Sequence, residues 1–292
     1  PTAFASLQGQ ASDTIVLKHN NRSYYSQGVQ LGGRYQWGDE WSQDLKFGLR
    51  YHEDGVDRFQ WEENYQFQNE GLSFLNSTVP GTESNRLEDA QALAAHAEYR
   101  VNWKAWTLSP GIRYENIYLA RADYGKNDPE RTGAALSERS NRVDVWMPGL
   151  GLRYDLNPQN HLFLGVHKGF TPPGSVPETL PEESWNWELG SRWQWAGFSG
   201  QGVFFFNAYE RLLGSDLSAT GGLGTAQLFN GGSANVYGLE FQVERHFGLD
   251  NQSAWSFPVS VSYTFTRAEF SRDFESDFEP WGEVLAGDLF PY

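Results

Sequence analysis

The chain has 292 residues, a net charge of −15 and no cysteine. That excludes a disulfide framework, a thiolate metal site and a cysteine nucleophile, and no basic stripe is present to hold a nucleic acid. Aromatic residues make up 16% of the chain, with 12 Trp and 14 Tyr, yet mean hydropathy is −0.59, an odd pairing for a soluble core, which needs Leu, Ile and Val around its rings.

Period-two alternation runs from end to end. In 24–37, Tyr25, Val29, Leu31, Tyr35 and Trp37 oppose Ser26, Gln30, Arg34 and Gln36. In 44–52, Leu45, Phe47, Leu49 and Tyr51 oppose Asp44, Lys46, Arg50 and His52. Leu93, Ala95, Ala97, Tyr99 and Val101 oppose His96, Glu98, Arg100 and Asn102, and Trp106, Leu108, Ile112 and Tyr114 oppose Thr107, Arg113 and Glu115. Leu150, Leu152 and Tyr154 then alternate with Gly151, Arg153 and Asp155. Leu162, Leu164 and Val166 continue the pattern, although Lys168 falls on the apolar side. Segments 184–193, 235–247 and 255–266 repeat it, whereas "VFFFNAYERLL" (203–213) is apolar on both faces near its start and leaves its own register open. Each segment is about ten residues long, which suits a tilted strand crossing a bilayer. No window approaches the roughly 18 uninterrupted apolar residues of a membrane-spanning helix. Pro1-Thr2-Ala3 lacks the basic start of a signal peptide, as in a mature, trimmed or partial chain.

The connections alternate as well. Short ones lie at Gly38–Ser42, Asn102–Ala105, Asp155–Asn160, Gln194–Gly197 and Gly248–Gln252, and long polar ones at 53–89, 119–141, 171–181 and 213–233. Tryptophan, tyrosine or phenylalanine flanks the short turns: Trp37 and Trp41, Trp103 and Trp106, Tyr154, Trp193 and Trp195, Phe247 and Trp255. Amphipathic rings prefer the headgroup level. The pattern is that of an all-β, antiparallel transmembrane barrel wall of about ten strands, with short turns on one side and long loops on the other. A one-residue slip would carry Arg34, Arg50, Arg113, Arg153 and Arg192 into hydrocarbon at roughly 2–4 kcal/mol each near the midplane. A soluble sheet with one solvated face also alternates, but it has no reason to place rings beside every short turn.

Three segments then carry a resemblance. "MPGLGLRYDLNPQNHLFLGVHKGFTPP" (147–173), "PEESWNWELGSR" (181–192) and "NGGSANVYGLEFQVE" (230–244) resemble, in that order, barrel motifs of TonB-dependent outer-membrane receptors, and look most like the branch of ferric dicitrate and other ferric-siderophore transporters. The resemblance implies a barrel of about 22 strands closed by an N-terminal plug. It also implies a place in the outer membrane of a Gram-negative bacterium, among lipid and lipopolysaccharide, with uptake of a metal chelate driven through the TonB complex. Iron would enter only as part of the transported chelate, with no resident cofactor and no enzyme activity. Against that pattern the sequence holds no plug domain and no TonB box. Residues 1–22 are expected to be an extracellular loop or strand end, 23–270 the barrel strands, and 271–292 an extracellular loop leading into a further strand. The alternative function is a passive pore or a barrel-embedded enzyme.

Candidate residues follow from ligand chemistry. An anionic ferric chelate needs cationic donors, best as arginine forks, with aromatics to exclude water. Within the long loops these are Arg58, Trp61, Tyr65, Phe67 and Arg86, and Arg121, Tyr124, Lys126 and Arg131. Acids in the same loops, among them Glu62, Glu63, Glu83 and Asp89, oppose a strongly anionic ligand. Glu188 and Glu240 each sit between apolar neighbours and so point away from lipid, about 10 Å apart by strand spacing. Arg192 and Arg153 are their candidate neutralisers within the barrel. The resemblance implies instead that the glutamates of "ELG" and "GLE" pair with arginines of a plug. The six histidines show no ligand spacing. "ADYGKNDPE" (122–130) has Asp and Asn at calcium-like intervals without the bidentate Glu, and the glycine-rich "GGLGTAQLFNGG" (221–232) precedes a strand rather than a helix.

Overall fold

The computed structural model describes residues 14–68, 71–215, 228–230, 232–248, 255–275 and 282–290, all in strands, turns and irregular segments. In chain order the strands are β1 (Thr14–His19), β2 (Arg22–Trp37), β3 (Trp41–Gln68), β4 (Gly71–Ser77), β5 (Ser84–Trp103), β6 (Trp106–Asp123), β7 (Ser137–Asn157), β8 (Asn160–Thr171), β9 (Glu182–Trp195), β10 (Phe198–Glu210), β11 (Leu213–Ser215), β12 (Leu228–Asn230), β13 (Ala234–Phe247) and β14 (Phe257–Phe270). Two-residue pieces follow as β15 (Phe274–Glu275) and β16 (Glu283–Val284). One antiparallel sheet takes β3, β5 to β10, β13 and β14 in sequence order, with β1 and β2 end to end along one side of β3 and β4 along the other. Among the described residues β2 pairs only with β3, and β14 pairs with β13 and, at its outer end, through a single bridge from Glu269 to Leu289, so the sheet is an open wall rather than a closed barrel.

One face is apolar over a defined height. Leu31, Leu49, Phe47, Leu93, Ile112, Leu189, Leu239 and Phe265 all stand exposed on it. At its lower edge Trp41, Trp103, Trp106 and Tyr154 occupy one cross-strand row over β3, β5, β6 and β7, with ring centroids 5.5 Å apart for Trp41–Trp103 and 4.5 Å for Trp106–Tyr154. From Trp103 up to Leu93 is about ten residue steps, roughly 34 Å of strand and about 26 Å of height at a 40° tilt, the stature of a barrel's lipid-facing band. The opposite face holds Arg34 on Asp44 (Nε–Oδ1 2.8 Å), Arg113 on Glu115, Arg153 on Asp155 (2.7 Å) and Arg192 on Gln201 (3.1 Å). The register expected from the cost of burying arginine in lipid is the register observed. It also resolves β10: Phe204 and Phe206 go with the apolar face, while Val203 and Phe205 share the polar one with Glu240 and Glu188. Lys168 is on the apolar face as the alternation requires, its ammonium 2.8 Å from Glu183 Oε1.

The outer ends differ from the sequence expectation. β3 stays extended to Gln68, β4 covers 71–77 and β5 begins at Ser84, so 53–89 is largely paired strand with a connection at 78–83. Likewise β6 continues to Asp123 and β7 starts at Ser137, leaving 124–136 where 119–141 was expected. Above the lipid band both faces are polar, so alternation loses its contrast, while the ladder started below propagates upward because each added pair satisfies another set of backbone groups. Four of the five short connections fall as expected, at 38–40, 104–105, 158–159 and 196–197, and the fifth, Gly248–Gln252, lies mostly outside the described residues. Ala196 and Gly197, with φ of 50° and 82°, give the two-residue turn that matches strand twist. The connection 172–181 folds back across the polar face of β7. Asn141 Nδ2 donates to Gly174 O (3.4 Å) and Thr179 O (2.9 Å), and Pro173 is fully buried. Val143 and Val145, next along that face, are 4% and 2% exposed. Most of 213–233, including "GGLGTAQ", lies outside the described residues, as do residues 1–13 and much of 271–292.

Candidate functional site

Strand parity decides which outer-end side chains meet. Arg58 on β3 lies opposite Arg86 on β5, Arg86 opposite Asp123 on β6, Glu88 opposite Arg121, and Arg121 opposite Arg139 on β7. Directly opposed residues share a face, and this is the polar face, above the lipid band. Glu88 is the hub. Arg86 Nε is 3.1 Å from its Oε1, Arg121 NH1 3.7 Å from Oε1, and Arg58 Nε 3.7 Å from Oε2. Arg121 also pairs with Asp123, and Arg139 Nε donates to Ser175 Oγ at 3.2 Å. Four arginines therefore face two carboxylates, an excess of positive charge in a chain of net charge −15.

The site is partly desolvated. The Arg86 and Arg58 side chains are 16% and 25% exposed, and their Nε atoms are buried in contact with Glu88 but with no hydrogen-bond acceptor in line. Burial pushes the Arg86 guanidinium below its ordinary pKa against the pull of Glu88, with Arg121 and Arg58 adding like-charge repulsion. Burial lowers Arg139 likewise, with Arg121 next in effect. Crowded, half-satisfied guanidinium forks of this kind favour a further anion, which they can hold bidentately.

The residues singled out by sequence divide accordingly. Arg58, Arg86 and Arg121 converge; Arg139, which sequence reasoning passed over, completes the set. It could have been found by carrying the alternation of 143–155 two further steps outward.

Trp61 and Tyr65 have the opposite parity. Trp61 stacks on His19 with centroids 4.6 Å apart, and Tyr65 donates to Glu63 (2.7 Å) and meets the Phe74 ring edge-on. Arg131 and Tyr124 belong to the same opposite face. There Arg131 NH1 reaches Asp57 Oδ2 at 3.0 Å, its second nitrogen takes the other oxygen, and its guanidinium packs over Phe59 and Tyr124 at 5.1 and 5.4 Å. Arg131 is thus a brace for the 124–136 connection rather than part of the arginine patch. Lys126 is 65% exposed at the tip, 3.9 Å from Glu83. The side chain of Phe67 lies outside the described residues. Asp128, in the calcium-like stretch, turns inward on its own loop. Its carboxylate accepts the Thr132 and Gly133 amides at 2.9 and 2.8 Å, and these donors, Thr132 foremost, hold its pKa below the ordinary value.

Glu188 and Glu240 share the polar face across β10. Glu188 lies opposite Phe205 and Glu240 opposite Val203, so they are stepped by two residues and about 12 Å apart from strand spacing and rise. Both are exposed, and among the described residues neither makes an ion pair. The arginines expected to neutralise them are occupied elsewhere, Arg192 with Gln201 and the Phe163 ring, Arg153 with Asp155.

A sheet with one apolar band, aromatic rows at its short-turn edge and a charged opposite face is a wall of a transmembrane β-barrel. Residues 3–288 match the family model "TonB dependent receptor-like, beta-barrel", and the chain belongs to that family, whose members are transporter receptors of the Gram-negative outer membrane rather than enzymes. Among solved structures it resembles the unliganded ferric citrate transporter FecA (TM-score 0.70, 16% identity, 96% of this chain and 39% of that one). It also resembles the siderophore receptor PiuA from Acinetobacter baumannii (0.63, 10%, 94% and 43%) and the closed form of the ferric-catecholate import receptor Fiu from E. coli K12 (0.61, 16%, 86% and 38%). At these identities the likeness is one of fold, and the chain spans about two fifths of each of those proteins.

Proposed function

We propose that this chain forms part of the wall of an outer-membrane active-transport receptor. It takes a ferric chelate of citrate or siderophore type at the outer mouth and imports it with energy supplied through TonB. The observation that carries this reading is the convergence of Arg58, Arg86, Arg121 and Arg139 on the polar, lumen-side face above the lipid band. Glu188 and Glu240, lower on the same wall and without ion pairs, are the proposed seat for arginines of a plug. The 124–136 loop supports the mouth from outside through Arg131 and Asp57, and contact of the apolar face with lipid and lipopolysaccharide completes the set of partners.

The test uses the full-length receptor that carries this chain. Replacing Arg58, Arg86, Arg121 and Arg139 together with Gln removes several charge-assisted hydrogen bonds, each worth about 1.5–3 kcal/mol. Ferric dicitrate or a ferric catecholate, titrated by tryptophan fluorescence, is expected to lose more than about a hundredfold in affinity. Unchanged affinity of the quadruple variant refutes the reading.

A further inference from the structure

Beside and immediately below the arginine patch the same face carries a short apolar strip, bordered by Ser26 and Asp54. Tyr24 on β2 and Val56 on β3, level with Glu88, and Ala90 on β5 and Leu119 on β6, one step below, wall a cavity of ≈ 510 Å³; Ser26 and Asp54 line its β2–β3 side, and Gly174–Ser175 of the inward-folded 172–181 connection closes its far side. That volume is in the range of small-molecule sites. Val56, Ala90 and Leu119 remain half-exposed around it, whereas Ile117 and Val143, one row further down, are packed away at 8% and 4% exposure. The cavity is therefore a mostly apolar space, with Asp54 on its β3 side and Glu88 at its top, left open within a charged wall and not a continuation of the packed patch beneath it.

Its position relative to the charges is fixed by the ladder. Glu88 belongs to both, lining the cavity while touching three arginines. Ala90 and Leu119 are directly opposed and stand one same-face step, about 7 Å, below Glu88 and Arg121. Ser175, at the far side, accepts from Arg139. A ligand whose anionic head sits on the arginine forks, level with Val56, has its next several ångströms over Ala90 and Leu119.

We infer that the site takes an amphiphilic anion: a chelate whose carboxylate or catecholate head is held by the arginines and whose alkyl, acyl or aryl arm occupies the Tyr24–Val56–Ala90–Leu119 cavity. This rests on the proposed receptor function for the identity of the head as a ferric chelate, but the pairing of anionic head with apolar arm stands on the geometry alone. A fully polar chelate such as ferric dicitrate satisfies the forks and leaves the cavity wet. Each methylene of an arm that enters it raises affinity by about fourfold.

Three probes separate the possibilities in the full-length receptor: ferric dicitrate, the ferric chelate of citrate carrying an eight-carbon acyl arm, and that acyl citrate without iron. The acylated chelate is expected to bind at least about tenfold tighter than ferric dicitrate. Ala90→Phe, which fills the cavity, and Leu119→Asn, which makes its wall polar without filling it, should each bring the two affinities together. Leu119→Asn keeps the test open if the larger side chain disturbs folding. Equal affinity of the two ferric chelates for the unaltered receptor overturns the inference while leaving the receptor reading in place. Binding of the iron-free acyl citrate alone, weakened by either variant, supports the amphiphilic site and removes the ferric chelate as its ligand. If none of the three binds, both readings fall.

Discussion

Replacing Arg131 with Ala separates the two roles that sequence and structure give this residue. As a brace it holds Asp57 with two nitrogens, donates through Nε to Asn85 Oδ1 at 2.7 Å, and packs over Phe59 and Tyr124. The Asp57 pair contributes about 1 kcal/mol at most, because Asp57 is 38% exposed and solvent screens it. Asn85 is 2% exposed and would keep its Nδ2 bond to Asp128 O (2.6 Å) but lose the Arg131 donor to its Oδ1, at about 1 kcal/mol. The two rings add about 0.5 kcal/mol each at a partly exposed site. The loop should therefore loosen by about 2–3 kcal/mol, a factor of about 30–150 in local opening. Hydrogen exchange reads this directly at the amides of Tyr124, Thr132 and Gly133, which donate to Asn85 O and to the Asp128 carboxylate. Protection of those amides should fall by that factor while the lower halves of β5 and β6 keep theirs. Protection unchanged within about threefold, or chelate binding lost with the loop intact, would refute the brace and return Arg131 to the ligand site.

Leu49→Arg, in the middle of the apolar band with its side chain 56% exposed, should destabilise the receptor in lipid by about 2–4 kcal/mol. Gln242→Arg, on the opposite face between Glu240 and Glu244, should be tolerated, and urea unfolding from vesicles compares the two. Asp128 has its pKa depressed by the Thr132 amide and its neighbours, so its stabilisation is complete above the unfolded value near 3.9 and is lost as pH falls through the lower folded value. The amide shifts of Thr132 and Gly133 should accordingly hold through pH 4 and move only below it, and movement centred at or above pH 4 would contradict the depressed pKa. Glu188→Gln with Glu240→Gln in the full-length receptor should lower uptake with ligand binding intact, and undiminished uptake would dismiss these residues as a plug seat.

What the sequence determined by itself was the lower half of the wall. Arg34, Arg50, Arg113 and Arg153 alternate with Leu, Phe and Tyr, and only one register keeps all of those guanidinium groups out of hydrocarbon. The rings beside Trp41, Trp103, Trp106 and Tyr154 placed the short turns to within a residue or two. Above the lipid that penalty vanishes, so the sequence could not distinguish strand from loop in 53–89, nor say which arginines there share a face. Pairing across neighbouring strands made that decision. It put Arg58, Arg86 and Arg121 together, brought Arg139 to them from a segment that read as loop, and sent Trp61 and Tyr65 to the other side. Arg131, in a connection with no strand parity, was placed by Asp57 and Asn85, 74 and 46 residues away in the chain. The inward fold of 172–181 likewise rests on Asn141 and Arg139 of β7, because a loop's path over a wall is set by the partners its backbone finds there, and those are distant in sequence.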